Sequence, residues 1–245
     1  MRLLTLDIET RPSLAHVWGL FNENIPLVRL AEAGTVISWA AKWHGEKQIH
    51  FASDYHDGHD EMLKGIHALV DEADVIIGYN HRAFDMKHLR REWALAEMTP
   101  PSGWRDIDLL SIVRAQFKFQ SNKLDFVASE FGLGSKVKHD GFELWLGCMA
   151  GDKKSWQKMR AYNIGDVKLT EKLYERVLPW IPSHPHQGLF GGPKDGCPRC
   201  TSLDAHRRGF LTTSTGRFQR YQCNACGGWF SDTHRAEAVS TRAVS

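Results

Sequence analysis

Three acidic fragments stand in a fixed order along the 245-residue chain: LDIET at Leu6 to Thr10, YNHRAFD at Tyr79 to Asp85 and YNIGD at Tyr162 to Asp166. Together they supply four carboxylates, Asp7, Glu9, Asp85 and Asp166, and one tyrosine, Tyr162. If folding gathers them, the carboxylates repel one another until a cation sits among them, and hard oxygen ligands of this kind suit Mg²⁺ or Mn²⁺. Two such ions can stabilise the attacking and departing oxygens of a displacement at phosphorus, which is nuclease chemistry.

The elements that must position these groups can be read from the apolar pattern. Leu3 to Ile8 reads as a buried strand whose alternation puts Thr5, Asp7 and Glu9 on one face and Leu6 and Ile8 on the other. Thr35 to Trp43 and Gln48 to Ala52 read as two more strands, joined by the turn-like HGEK into a three-strand meander. A helix is expected over Glu61 to Glu72 and a central strand over Val75 to Tyr79, after which Asp85 falls at a helix start. Further helices are expected over Asp85 to Glu97, Asp106 to Gln116, Lys123 to Phe131 and Ser155 to Leu178. Tyr162 and Asp166, four apart, then share one helical face. Gly165 between them costs about 1 kcal/mol relative to alanine in a helix interior, so it makes most sense where something approaches closely. Strands first and helices after gives an α/β fold, a mixed sheet with helices packed on it.

The three motifs, in this order and on these elements, resemble the DnaQ-like (DEDD) superfamily of 3′-to-5′ exonucleases. Tyrosine four before the last aspartate is similar to the DEDDy branch, and DIET with YN-x₃-FD is similar to the proofreading domain of family B DNA polymerases. The resemblance covers about residues 2–181, including NKLDFVASEFGLG and YNIGDVKLTEKLYERVLPW. It implies an RNase H-like fold and a free-standing phage or bacterial enzyme that hydrolyses single-stranded DNA from 3′ ends with two Mg²⁺ or Mn²⁺, releasing nucleoside monophosphates. By the same resemblance, Asp7, Glu9 and Asp166 hold the ion that activates water, Asp7 and Asp85 hold the second, and Tyr162 hydrogen-bonds the attacking water. Asn80 is a candidate for substrate contact or for bracing its loop. Between DIET and the next strand lies a long insert, RPSLAHVWGLFNENIPLVRL, in which Trp18 and Phe21 either stack on a terminal base or pack in the core. Lys136 and Lys138 meet either backbone phosphate or only water. An exoribonuclease using the same site, and a non-catalytic nucleic-acid adaptor, are the competing readings.

Near the C-terminus, Cys197 with Cys200 and Cys223 with Cys226 have the spacing of a four-cysteine zinc ribbon holding one structural Zn²⁺. Cys148 reads as a small core residue. The expected organisation is an exonuclease domain over 1–181, an aperiodic linker over 182–194 with solvated histidines, the ribbon over 195–234 and a flexible tail over 235–245. From Lys194 onward there are eight basic and four acidic residues, against +2 for the whole chain, so the part before it has an acidic excess. Arg207, Arg208, Arg217 and Arg220 alternate with Phe210, Phe218 and Tyr221, suited to phosphate contact and base stacking unless the rings form the ribbon's small core. The expected partners are 3′ ends of single-stranded DNA or RNA, with replication or repair proteins as further candidates. No apolar run approaches a membrane span, and the start of the chain reads as a strand rather than a signal sequence, which gives a cytoplasmic expectation, in a bacterium or in the host of a phage.

Overall fold

The structure is a computed structural model that describes residues 1–21, 24–138 and 141–242. Two residues of the insert (Asn22, Glu23), two of the GSKVKHDG stretch (His139, Asp140) and the last three of the expected tail lie outside the described residues. The chain divides into two compact units, Arg2–Tyr174 and Glu175–Ser245.

The first unit begins with β1 (Leu3–Thr10), a short pair β2 (Leu14–Ala15) and β3 (Leu30–Glu32) within the insert, then β4 (Val36–Trp43) and β5 (His50–Ser53). It continues with α1 (Asp54–Asp57), α2 (His59–Asp71), β6 (Val75–Gly78), α3 (Asp85–Leu95), β7 (Arg105–Asp108), α4 (Leu109–Gln116), α5 (Leu124–Glu130), α6 (Glu143–Met149) and α7 (Lys153–Val177). Five strands form one mixed sheet in the order β5-β4-β1-β6-β7. The central strand β1 runs antiparallel to β4, with Asp7 opposite Ala40 and Glu9 opposite Ser38, and parallel to β6, which in turn runs parallel to β7. The expected α/β fold, a mixed sheet flanked by helices, is therefore observed.

Helices cover both faces of β1. Leu4, Leu6 and Ile8 pack with Met62 and Ile66 of α2 and with Met86, Leu89 and Trp93 of α3. Leu6 is fully buried, and truncating such a side chain to alanine costs about 2–5 kcal/mol. On the other side Leu144 and Cys148 of α6 pack with Trp156, Met159 and Tyr162 of α7, so Cys148 is a core residue as expected. The alternation of β1 therefore sends Leu4, Leu6 and Ile8 to one helical layer and its carboxylates toward α7.

Two expectations are corrected. The helix expected from Asp106 starts at Leu109; Arg105–Asp108 is instead an edge strand, and Asp108 caps α4 by accepting from the amides of Leu110 at 3.0 Å and Ser111 at 3.3 Å. A polar RDID run has no apolar alternation to announce a strand, and it forms one because it extends β6. The short helix α6 was also not expected; ELWLGCM lies between glycines that mask its period.

The second unit contains 3₁₀ turns at Leu178–Trp180 and Gln187–Phe190, then β8 (Ala205–Thr212), β9 (Gly216–Cys223) and β10 (Trp229–Ala238), an antiparallel sheet in the order β10-β9-β8. The stretch expected to be a solvated linker holds more structure than its composition implies. His184 is buried, the His186 ring accepts from the Gly188 amide at 3.0 Å, and the Gln187 amide donates to the Pro198 carbonyl at 3.0 Å. β10 continues through Ala238, into the segment read as tail.

Candidate active site

β1, α3 and α7 each bring one acidic fragment to the same place. Ligand oxygens of Asp7, Glu9 and Asp166 all lie within 4.8 Å of one another. Asp85, at the first turn of α3, is 4% exposed and accepts from the Ile8 amide of β1 at 3.1 Å, which fixes it beside Asp7 in the chain of β1. The turn that delivers it is tightly built. A Cβ at Gly78 would lie 2.6 Å from His81 Cβ, and Asn80 adopts a left-handed φ of 69°, which asparagine tolerates better than most residues. The Asn80 amide donates to Asp108 at 3.1 Å and its carbonyl accepts from the amides of Ala83 and Phe84, so Asn80 braces the loop through its backbone. It also lines a cavity of about 610 Å³ together with Asp7, Tyr79, Arg114, Lys123 and Lys136.

The electrostatics of the cluster call for a cation. Burial, then the charges of Asp85, Glu9 and Asp166, hold the Asp7 carboxyl well above the usual carboxylate range. Burial and Asp166 push Glu9 up to about 8, and burial raises Asp85 to about 6. Burial, followed by the charge of Asp166, pushes the Tyr162 phenol up to about 12. Asp166 is 1% exposed, and its Oδ1 has no hydrogen-bond partner among the described residues. A buried, orphaned carboxylate oxygen in a crowd of carboxylates fits a hard divalent ion.

One cation is supplied by the chain itself. Lys136, on the loop between α5 and α6, places its Nζ 2.5 Å from Asp166 Oδ2 and 3.2 Å from the Tyr162 hydroxyl. Burial alone would lower its ammonium, but Asp166 and Tyr162 outweigh it and raise it. Gly165 makes this approach possible, because a Cβ there would lie 2.7 Å from Val137 Cγ2. The close approach expected at this glycine is thus that of the Lys136 loop. Sequence reasoning offered Lys136 a phosphate or water; the structure gives it Asp166 and Tyr162.

Asn163 was missed. It is fully buried, and its Nδ2 donates to Asp7 Oδ2 at 2.7 Å and to the Asp7 carbonyl at 3.2 Å, while its Oδ1 accepts from Ser38 Oγ at 3.3 Å. This relay fixes the orientation of the Asp7 carboxylate. The only signal was its position beside Tyr162 in YNIGD. Trp18 and Phe21, by contrast, are 90% and 87% exposed, which removes core packing as their role. Neither lines the cavity beside Asp7.

In the second unit, the four cysteines Cys197, Cys200, Cys223 and Cys226 form a cluster. Cys197 and Cys226 sulfurs are 3.6 Å apart, as are those of Cys200 and Cys223. That is far from a disulfide bond, and a tetrahedron with Zn–S bonds of about 2.3 Å has edges of about 3.8 Å. Each pair sits in a similar turn: the Thr201 amide donates to the Cys197 carbonyl at 2.9 Å and the Gly227 amide to the Cys223 carbonyl at 3.0 Å, and Thr201 and Gly227 both have positive φ. The four thiols fit zinc.

Residues 30–178, more than half of the chain, match the family model of the RNase H superfamily, and the chain belongs to that superfamily. The match includes Asp85, Tyr162 and Asp166 and begins after Asp7 and Glu9. No curated protein matches the chain. Among the described residues, no helix is long and apolar enough to cross a membrane. A nuclease-type fold of this superfamily, with a carboxylate cluster that fits divalent metal and a cysteine cluster that fits zinc, is what fold and site together define.

Proposed function

We propose that the protein is a 3′-to-5′ exonuclease of the DEDDy kind that removes nucleoside monophosphates from single-stranded DNA. The observation that carries the reading is the convergence of Asp7, Glu9 and Asp166 within 4.8 Å, beside Tyr162, with one Asp166 oxygen buried and unpartnered among the described residues. Asp7, Glu9, Asp85 and Asp166 would hold two Mg²⁺ or Mn²⁺, whose chemistry when bound is to activate water and neutralise charge at the phosphate. Asn163 keeps the Asp7 carboxylate turned toward Glu9 and Asp166. Tyr162, whose phenol keeps its proton at neutral pH, orients the attacking water by hydrogen bonding rather than removing its proton. Lys136 contributes a fixed positive charge next to Asp166 and Tyr162.

Arg114, Lys123 and Asn80 line the cavity next to Asp7, and in this reading they meet the phosphates and sugar behind the scissile bond. Trp18 and Phe21, exposed on the insert, offer faces on which a base stacks. The test is time-resolved product analysis on end-labelled DNA and matched RNA oligomers with Mg²⁺, with Mn²⁺ and without divalent ion. Stepwise loss of mononucleotides from the 3′ end of DNA, abolished in Asp7→Ala, is expected. Full activity in Asp7→Ala would sink the mechanism, faster loss from RNA would make the enzyme an exoribonuclease, and binding without cleavage would make it an adaptor.

A further inference from the structure

Charge separates the two faces of the second unit's sheet. Strand alternation in β9 puts Arg217, Gln219 and Tyr221 on one face and Phe218, Arg220 and Gln222 on the other. On β8 the register shifts between Arg207, opposite Tyr221, and Phe210, opposite Gln219; with Gly209 at φ 70° forming the bulge, both side chains stay on the first face. The three strands contain two carboxylates, Asp232 and Glu237, and both serve that first face. Asp232 accepts from the Tyr221 hydroxyl at 3.2 Å and Glu237 pairs with Arg217 at 2.9 Å. Two of its rings are engaged with each other as well: Tyr221 stacks on Phe230 with centroids 5.3 Å apart.

The second face has cations without carboxylates. The Arg220 guanidinium lies 4.8 Å over the Trp229 ring, Arg235 stands opposite Phe218, and Arg208 reaches Gln222 at 3.2 Å. Arg235 is held on this side, since a Cβ at Gly216 would lie 3.2 Å from its Cδ. Trp229 is 43% exposed and borders a cavity of about 370 Å³ walled by Pro182, Pro198, Leu211 and Arg220. A flat aromatic ring in an open, proline-walled pocket beside guanidinium groups, with no carboxylate on this face among the described residues of the three strands, suits a nucleobase and its phosphates.

We propose that this second face binds single-stranded nucleic acid, one base seated against Trp229 and the strand's phosphates on Arg220 and Arg235. The proposal rests on the nuclease reading for the class of its partner, but not on the chemistry of the carboxylate site. Its test is fluorescence polarisation of a labelled oligothymidylate with the full chain carrying Asp7→Asn, so that the strand survives, over a series of salt concentrations. Arg220→Gln with Arg235→Gln should weaken binding about 10-fold or more. Two lost phosphate contacts should also flatten the slope of log K against log salt by about 1.4, given about 0.7 per contact for single strands. Trp229→Leu should weaken binding at least about 5-fold, the low end for one stacked base. Arg207→Gln, on the first face, should leave slope and affinity near those of the parent, and zinc content verifies that each variant is folded. Unchanged binding in the double arginine variant, or an equal loss in Arg207→Gln, overturns the proposal. So does preferential capture of an acidic peptide by this face, which would make it a protein-docking surface. Failure of the nuclease reading is seen separately, as absence of cleavage by the native chain.

Discussion

Val137 fills the space left by the missing side chain of Gly165, 2.7 Å from where a Cβ would stand. Because Lys136 precedes Val137, this contact sets how closely the Lys136 ammonium approaches Asp166 and Tyr162. Gly165→Ala gains about 1 kcal/mol of helix propensity while pushing the loop outward, so thermal stability should change little. Cleavage should fall about 10- to 100-fold, since displacement of a catalytic constellation by about 1 Å costs on that order. Val137→Ala in the same chain makes room for the new methyl and should restore most of the loss. A double variant no more active than Gly165→Ala alone would show that the contact does not position Lys136.

Asn163 acts through Asp7, and its substitution separates orientation from charge. Asn163→Leu removes the donors to Asp7 Oδ2 and the Asp7 carbonyl and leaves Ser38 Oγ without its acceptor at 3.3 Å. A buried group stripped of its partner costs about 1–3 kcal/mol, so the melting temperature should drop by several degrees. The rate should fall while the substrate KM stays near its original value, and more divalent ion should be needed for half-maximal rate. Asn163→Asp keeps the shape but sets another carboxylate against Asp7, and should be worse in metal requirement than Asn163→Leu. Equal metal dependence in both variants and the parent would assign Asn163 a purely structural role.

What could be read in the sequence and what could not follows from the range of the interactions. The alternation of Leu6, Asp7, Ile8 and Glu9 and the four-residue spacing of Tyr162 and Asp166 are local periodicities, and the observed strand and helix carry them as read. β7 was misread because its strand character comes from its partner β6, not from its own residues. The partners of Lys136, a residue that the sequence had singled out, and the whole role of Asn163 were illegible for a related reason. Their partners lie 30 and 156 residues away, and neither a lone lysine on a loop nor an asparagine on a helix shows that distance. Gly165 was the one local trace of such a contact: it marked a close approach without naming what approaches. The linker histidines looked solvated because Pro and Gly have no period, yet His184 is buried, and the 3₁₀ turn that follows it is tied to a segment further along by the Gln187 amide on the Pro198 carbonyl.

The crowded carboxylates predict a pH-dependent response to magnesium. In the metal-free chain Asp85, raised to about 6, and Glu9, raised to about 8, bind protons more tightly folded than unfolded. The stability this linkage contributes is complete below the unfolded values near pH 4 and is lost as pH rises through 6 and then 8. Thermal melts without added divalent ion should therefore show a lower melting temperature at pH 9 than at pH 6. Mg²⁺ binds the deprotonated cluster, so its addition should raise the melting temperature more at pH 9 than at pH 6. Glu9→Gln should flatten both dependences. The same Mg²⁺ shift at the two pH values would mean that these carboxylates do not receive the ion.

Zinc removal should act on the second unit first. A unit this small buries little apolar surface, and structural zinc supplies about 10–16 kcal/mol of apparent binding free energy in comparable small zinc domains. Freshly prepared protein should contain one zinc per chain, and its cysteines should react slowly with a thiol reagent. Chelator should then expose four thiols together, Cys197, Cys200, Cys223 and Cys226, while Cys148, buried among Trp156 and Met159 in the first unit, stays protected until that unit melts. Trypsin added after chelation should cut within Glu175–Ser245 and leave a fragment containing Arg2–Tyr174 with its helical signal intact. The fragment should still cleave short oligomers in Mg²⁺, with lower affinity for long single strands. Immediate reaction of all four thiols in zinc-free, well-folded protein would show that the cysteine cluster holds no metal and that β8–β10 fold without it.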